Sequence, residues 1–282
     1  MVSRRTFLRL FSLATLISLA SLIGIPLSYR RRSRVLLEER IYGGVEYSVK
    51  GSLVYLPMPS LDGDTSVERA LANRRSIREY TDAPITLHEL SQILWAAYGV
   101  TETRYGFKTT PSAGATYPLE VYAVIGRNGV ATPEGGFMEP GSYKYDPYSH
   151  TLRIVKKGDL IRDLYESALE QEWILEAPVN LVFTAVFERT TKRYGKRGER
   201  YVWIEVGHAS QNVYLQATAM GLATVAIGAF YDDRIKMIIG ASENERVLYM
   251  MTLARPSKAY ELQEESLYIY ITNNRESLKA KE

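Results

Sequence analysis

Taken as a string of apolar and polar positions, the chain divides into an apolar opening, a connector, and a long stretch where strand-like and helix-like runs are mixed. Leu87, Leu90, Ile93, Leu94, Ala97 and Tyr98 recur at helical spacing behind the capping-box sequence Thr86-Leu87-His88-Glu89, and Gly99 supplies the stop. Thr65-Ser66-Val67-Glu68 is a second start of this kind, for a short helix ending near Arg74. Leu119 to Ile125 and Val179 to Phe187 are apolar runs of strand length, the second suited to the inside of a sheet. Ser142 to Tyr145 and Thr151 to Val155 read as strands paired around Asp146-Pro147, and Leu160 to Glu170 as an amphipathic helix. Val130 to Gly141 and the basic stretch Lys192 to Arg200 read as loops. A long helix is predicted from Tyr201 to Met220, with Val202, Val206, Ala209, Val213, Ala217 and Met220 on its apolar face and Gly221 as its cap. Ala223 to Phe230 reads as a strand opening into a turn of small residues. The mixture predicts an α+β domain over residues 61–275.

The opening carries its own signal. Ser3-Arg4-Arg5-Thr6-Phe7-Leu8-Arg9 has the form of a twin-arginine export motif, and an apolar segment from Leu10 to Leu27 follows it. Residues 1–34 are therefore read as an export signal or membrane anchor, and 35–60 as a linker and lead-in. Small-residue cleavage signals are poor, and Arg30, Arg31, Arg32 and Arg34 resist translocation of their flank. Three readings stay open: a domain exported or anchored outside the cytoplasm, favoured by the motif, an anchored domain facing the cytoplasm, and an incidental apolar N-terminus.

Composition narrows the chemistry. With 282 residues, 46% of them hydrophobic, the chain can bury a large core. Its formal charge is only +3, and the N-terminal arginines account for the excess, so no electrostatic case exists for nucleic acid. There is no cysteine, which removes disulfides, thiolate metal sites and a thiol nucleophile. No metal site is expected, and redox chemistry would have to come from an organic cofactor.

Two stretches hold the candidate site. In Asn73-Arg74-Arg75-Ser76-Ile77-Arg78, an extended backbone projects Arg74, Ser76 and Arg78 from one side, where two guanidinium groups and a hydroxyl could face one anion. A solvated charged surface is the plain alternative. In Pro111-Ser112-Ala113-Gly114-Ala115, successive small residues let backbone approach a flat ligand, and Tyr117-Pro118 then enters a strand. His208, Gln211 and Asn212 are polar insertions in the long helix, more suited to bracing it than to chemistry.

These stretches, with Leu90-Ser91-Gln92-Ile93-Leu94-Trp95-Ala96-Ala97-Tyr98-Gly99 and Gly207-His208-Ala209-Ser210-Gln211-Asn212, give the chain a resemblance to the nitroreductase-like flavoproteins, in particular the SagB-type, thiazoline/oxazoline-dehydrogenase-like branch. The resemblance runs from about Leu56 to Pro256. It implies a mostly antiparallel sheet flanked by helices, a homodimer, and FMN as cofactor, with two-electron ping-pong transfer between a donor and an acceptor that are small molecules or redox carriers. It further implies that Arg74, Arg75, Ser76 and Arg78 hold FMN, that Pro111, Ser112, Ala113 and Gly114 reach the flavin of the other subunit, and that Gly228 and Ala229 lie against the flavin ring. Arg255 and Lys258, flanking Pro256-Ser257, would complete the phosphate site. Azoline-oxidising members use a Lys-Tyr pair near the start of the long helix; this chain has Arg200-Tyr201, which leaves Tyr201 as a candidate proton donor and Arg200 a poor base. The alternatives are a non-catalytic flavin or ligand binder on the same fold, and a peptide azoline dehydrogenase.

Overall fold

The computed structural model describes residues 48–279, which belong to one compact unit. The export segment expected over residues 1–34 lies outside the described residues. Where the lead-in is described it is not a connector: β1 (Ser48–Lys50) and β2 (Leu53–Tyr55) form a hairpin at one edge of the main sheet.

The remaining strands of this sheet are β3 (Leu119–Ile125), β4 (Gly141–Asp146), β5 (Thr151–Lys157), β6 (Val179–Ala185), β7 (Ala226–Ile227) and β8 (Arg246–Leu253). They pair in the order β1-β2-β5-β4-β3-β6-β8-β7, with every pairing antiparallel. Strand alternation divides the core in two. On one face Leu119, Val121, Ala123 and Ile125 of β3, with Leu181 and Phe183 of β6, pack under α2 (Leu87–Tyr98) and α6 (Arg197–Ala219). On the other, Tyr122, Val124 and Val182 pack with Ile161 and Leu164 of α3 (Ile161–Ser167), Ile174 of α4 (Glu172–Glu176), and Ile235 and Ile239 of α7 (Asp232–Ile239). The short α1 (Val67–Asn73) precedes the arginine segment, and α8 (Glu264–Lys279) places no residue in the core.

Several elements depart from the sequence reading. Ser66, rather than Thr65, caps α1 by accepting from the Arg69 amide at 3.1 Å; the Thr65 hydroxyl instead donates to the Ala219 carbonyl. Thr86 and Glu89 do form a reciprocal capping box, but Gly99 has an ordinary extended φ of −71°. Glycine is needed there because a Cβ would lie 2.2 Å from the Trp95 ring. The amphipathic run stops at Ser167 because Leu169 and Glu170 take left-handed φ values of 58° and 54°. The basic stretch expected as a loop is largely helical: α5 (Glu188–Tyr194) breaks at Gly195, φ +58°, and α6 starts at Arg197 rather than Tyr201. Of the strand expected over 223–230, only Ala226–Ile227 pairs with β8, with a single bridge between Ala223 and Ala254.

Candidate active site

The arginine segment takes its shape from its contacts with α6 and the approach to β7. Beyond the end of α1 at Asn73, the Ile77 amide donates to the Thr224 carbonyl at 3.1 Å, which fastens the strand-like segment beside that approach. The Tyr214 hydroxyl shares a 2.9 Å hydrogen bond with Ser76 Oγ and accepts from the Ala226 amide at 2.8 Å. One phenol of α6 thus holds the arginine segment and β7 together. The Arg74 guanidinium lies 5.1 Å from the centre of the Tyr214 ring, and that of Arg78 lies 5.1 Å from the centre of the Trp173 ring. Neither guanidinium has a carboxylate partner among the described residues. Just past β7, Gly228 and Ala229 are exposed, and the Ala229 carbonyl accepts from Gln171 Nε2 at 3.0 Å. A Cβ on Gly228 would meet only the Tyr249 ring, at an ordinary 3.5 Å, so packing within this chain does not demand a glycine there. The Thr224 hydroxyl nearby is buried without a partner.

Three predicted residues are directed elsewhere or stand apart. Arg75 turns away, donating to the carbonyls of Ala72 and Arg74 and, at 2.6 Å, to the Tyr260 hydroxyl. Arg255 is engaged by the Glu89 carboxylate at 2.8 and 3.0 Å and by the Pro84 carbonyl, so it anchors the start of α2. Lys258 is exposed, with no contact to the arginine segment among the described residues.

The Pro111 run sits on another side of α6. Ser112 Oγ donates to Glu205 at 2.6 Å and accepts from the Tyr117 amide at 2.9 Å, while the Tyr98 hydroxyl donates to the second Glu205 oxygen at 2.6 Å. Glu205 is 2% exposed, and burial raises its pKa against the hydrogen bonds from Ser112 and Tyr98 and the charge of Lys108. The turn itself is left-handed at Gly114, Ala115 and Tyr117, with φ of 59°, 53° and 45°. The left-handed φ favours glycine at 114, and a Cβ would lie 2.4 Å from the Tyr194 hydroxyl and 2.8 Å from Arg193, so both side-chain ends would have to shift, breaking the bond that the Arg193 guanidinium donates to the Gly114 carbonyl. Tyr201 meets Tyr194 edge-on at 5.2 Å, which brings it to this turn rather than to the arginine segment. Glu205 and Tyr214 are nine residues apart, roughly half a revolution of a helix, so the two segments are held from opposite sides of α6. No hydrogen bond joins them among the described residues.

The profile of the nitroreductase family matches residues 71–255, which takes in both segments and leaves Lys258 outside. The chain belongs to the nitroreductase family. One family relative, "Putative nitroreductase MJ1384" of Methanocaldococcus jannaschii, is 48% identical over 193 residues, covering 68% of this chain and 93% of that protein. A distant one, the trifolitoxin operon protein TfxC of Rhizobium leguminosarum, is 25% identical over 242 residues; the match spans 80% of this nitroreductase-family chain and 62% of TfxC. The solved structure of a nitroreductase-type protein from Ralstonia eutropha aligns with a TM-score of 0.63 at 27% identity, over 76% of this chain and 94% of its own. Family membership and the antiparallel α+β architecture therefore agree with the resemblance drawn from the sequence.

The residues that sequence reasoning missed are those that hold others in place. Glu205 occupies a position on the buried face of α6, and a carboxylate amid Val202, Val206 and Ala209 is the signal that could have flagged it. Tyr214 beside Val213 offered a weaker one, and Trp173 under Arg78 none. Among the described residues, no group of three or more His, Asp or Glu could hold a metal ion, and no helix is long and apolar enough to cross a membrane.

Proposed function

We propose that this nitroreductase-family chain is an FMN-dependent oxidoreductase acting as a homodimer, with small molecules or redox carriers as electron donor and acceptor. The observation that carries the reading is the pair of guanidinium groups, Arg74 and Arg78, lacking carboxylates and set with Ser76 beside the open Gly228–Ala229 turn. Bound FMN supplies reversible two-electron hydride chemistry. Arg74, Ser76 and Arg78 suit its phosphate and polar edge, since guanidinium groups bind phosphate through charge-assisted hydrogen bonds. The bare, exposed Gly228 backbone fits a ligand pressed against this edge. Tyr201 is the candidate acid, and its place beside Tyr194 and Gly114 assigns it to the Pro111 side.

A second copy answers two features of the single chain. The two segments face away from each other across α6, so a site using both draws one from each copy. The exposed stripe of α6 carries two large apolar side chains, Trp203 47% and Ile204 48% exposed, with Gly207, His208 and Gln211 following at helical spacing. The N-terminal Arg4-Arg5 motif and Leu10 to Leu27 favour export or anchoring, in which case a quinol or redox protein suits the role of donor better than a nicotinamide nucleotide.

The test is the visible spectrum of the purified full chain, before and after denaturation and with dithionite. About one FMN released per chain is expected, with a band that bleaches reversibly. Arg78→Ala should weaken FMN binding by roughly tenfold or more at an unchanged unfolding midpoint. A colourless protein that takes up no added FMN would sink the reading, and a monomer that binds FMN fully would sink its two-chain site.

A further inference from the structure

A cavity of about 550 Å³ opens between the Ala115–Tyr117 turn and the β4–β5 hairpin, and its lining includes no residue of the arginine segment. Its volume falls in the range of small-molecule sites. At its inner end Lys108 Nζ lies 4.0 Å from the ring centre of Tyr98, 4.7 Å from Tyr117 and 4.9 Å from Tyr148. Three aromatic faces surround the ammonium, yet no oxygen accepts a hydrogen bond from it among the described residues. Burial lowers its pKa to about 8, with Glu120, Glu205 and Asp146 favouring the charged form and Arg189 opposing it.

The carboxylates of the wall are already engaged. Glu120 takes Arg189 at 2.5 Å and Lys144 at 3.3 Å, and Asp146 accepts from the Tyr148 amide and the Ser149 hydroxyl of its own turn. Arg153 has no carboxylate partner among the described residues, and in the β4–β5 register it stands directly opposite Lys144. Like charges at directly opposed positions destabilise a sheet. Among the described residues no carboxylate pairs with Arg153 and no oxygen accepts from Lys108, while Tyr148, 67% exposed, offers a ring at the mouth.

We propose that this cavity binds a small aromatic carboxylate, its oxygens held by Lys108 and Arg153 and its ring lying against Tyr117 and Tyr148. A single negative charge suits the wall, whose four cations meet Glu120, Asp146 and, through Lys144, also Glu245. The site uses neither the arginine segment nor the Gly228 turn, and its Ala115–Tyr117 wall continues the Pro111–Gly114 run that the flavin reading assigns to the partner's site. An anion beside Lys108 favours its protonated form, so binding above pH 8 takes up a proton.

Calorimetric titration of the full chain with benzoate, and with benzamide as its neutral counterpart, tests this at pH 8.5 in buffers of different ionisation enthalpy. Saturable benzoate binding with proton uptake is expected, and Lys108→Met should abolish the uptake. Arg153→Gln, on an exposed strand position, should weaken benzoate by about tenfold without endangering the fold. Benzoate that fails to saturate by about 10 mM, benzamide that binds equally well, or benzoate affinity indifferent to Arg153→Gln would each overturn the site.

Discussion

The two segments held by α6 are built on opposite plans. Around Pro111 to Gly114 the polar groups are internally satisfied: Glu205 accepts from Ser112 and Tyr98, Ser112 accepts from Tyr117, and the Gly114 carbonyl accepts from Arg193. Around Arg74 to Arg78 two cations lack carboxylates among the described residues, and a nearby hydroxyl, that of Thr224, is buried without a partner there. The first region is stabilised by its own hydrogen bonds and strained in its backbone; the second is left for something else to complete. Rigid shape and unsatisfied charge are thus separated, and a substitution in each region should fail in a different way.

The largest effect should come from Glu205→Leu, which leaves the Tyr98 and Ser112 hydroxyls without their acceptor and should cost about 3 kcal/mol in urea unfolding. Glu205→Gln keeps one acceptor oxygen and should cost about 1 kcal/mol. It also sharpens the comparison through pH. Because the folded carboxyl has a raised pKa, the folded state holds the proton more tightly than the unfolded one. The stability from this group is fully present below its ordinary value of 4.5 and is lost as pH rises through the raised value. Wild type should lose stability relative to Glu205→Gln across that interval, and parallel stability curves for the two proteins would refute the assignment.

Next comes Gly114→Ala, where a left-handed φ of 59° and the close Tyr194 and Arg193 atoms combine. A loss of about 2 kcal/mol is expected, read as a lower unfolding midpoint. An unchanged midpoint would mean that the turn is softer than its hydrogen bonds imply. On the other side, Tyr214→Phe removes the hydroxyl joining Ser76 to Ala226 and should cost only about 1 kcal/mol, while weakening FMN binding several-fold. Loss of stability without loss of FMN binding would mean that the arginine segment holds its shape without α6.

The sequence made the scaffold readable where one physical signal dominated. The apolar runs at Leu119 to Ile125 and Val179 to Phe187 had no alternative to buried strands, and Thr86 with Glu89 could be read as a helix start because both halves of the box lie within four residues. The stretch from Lys192 to Arg200 misled because its basic residues and glycines show no apolar period; its helices are decided by packing. The same limit governs the site. Arg74, Arg75 and Arg255 are one residue type, and only the fold turns Arg75 toward Tyr260 and gives Arg255 to Glu89. Glu205 and Tyr214 escaped notice because their partners lie far along the chain, separated by 93 and 138 residues.

The place of β8 in the sheet sets a condition on synthesis. It is the last long strand of the chain, yet it lies inside the sheet between β6 and β7, and the Arg255–Glu89 pair just beyond it spans 166 residues. A chain still emerging from the ribosome therefore exposes one side of β6, the most deeply buried strand, until residues 246–253 arrive. Such non-local closure makes folding slow and leaves an edge open to mispairing, so the unfinished nascent chain is where this protein is most vulnerable to aggregation.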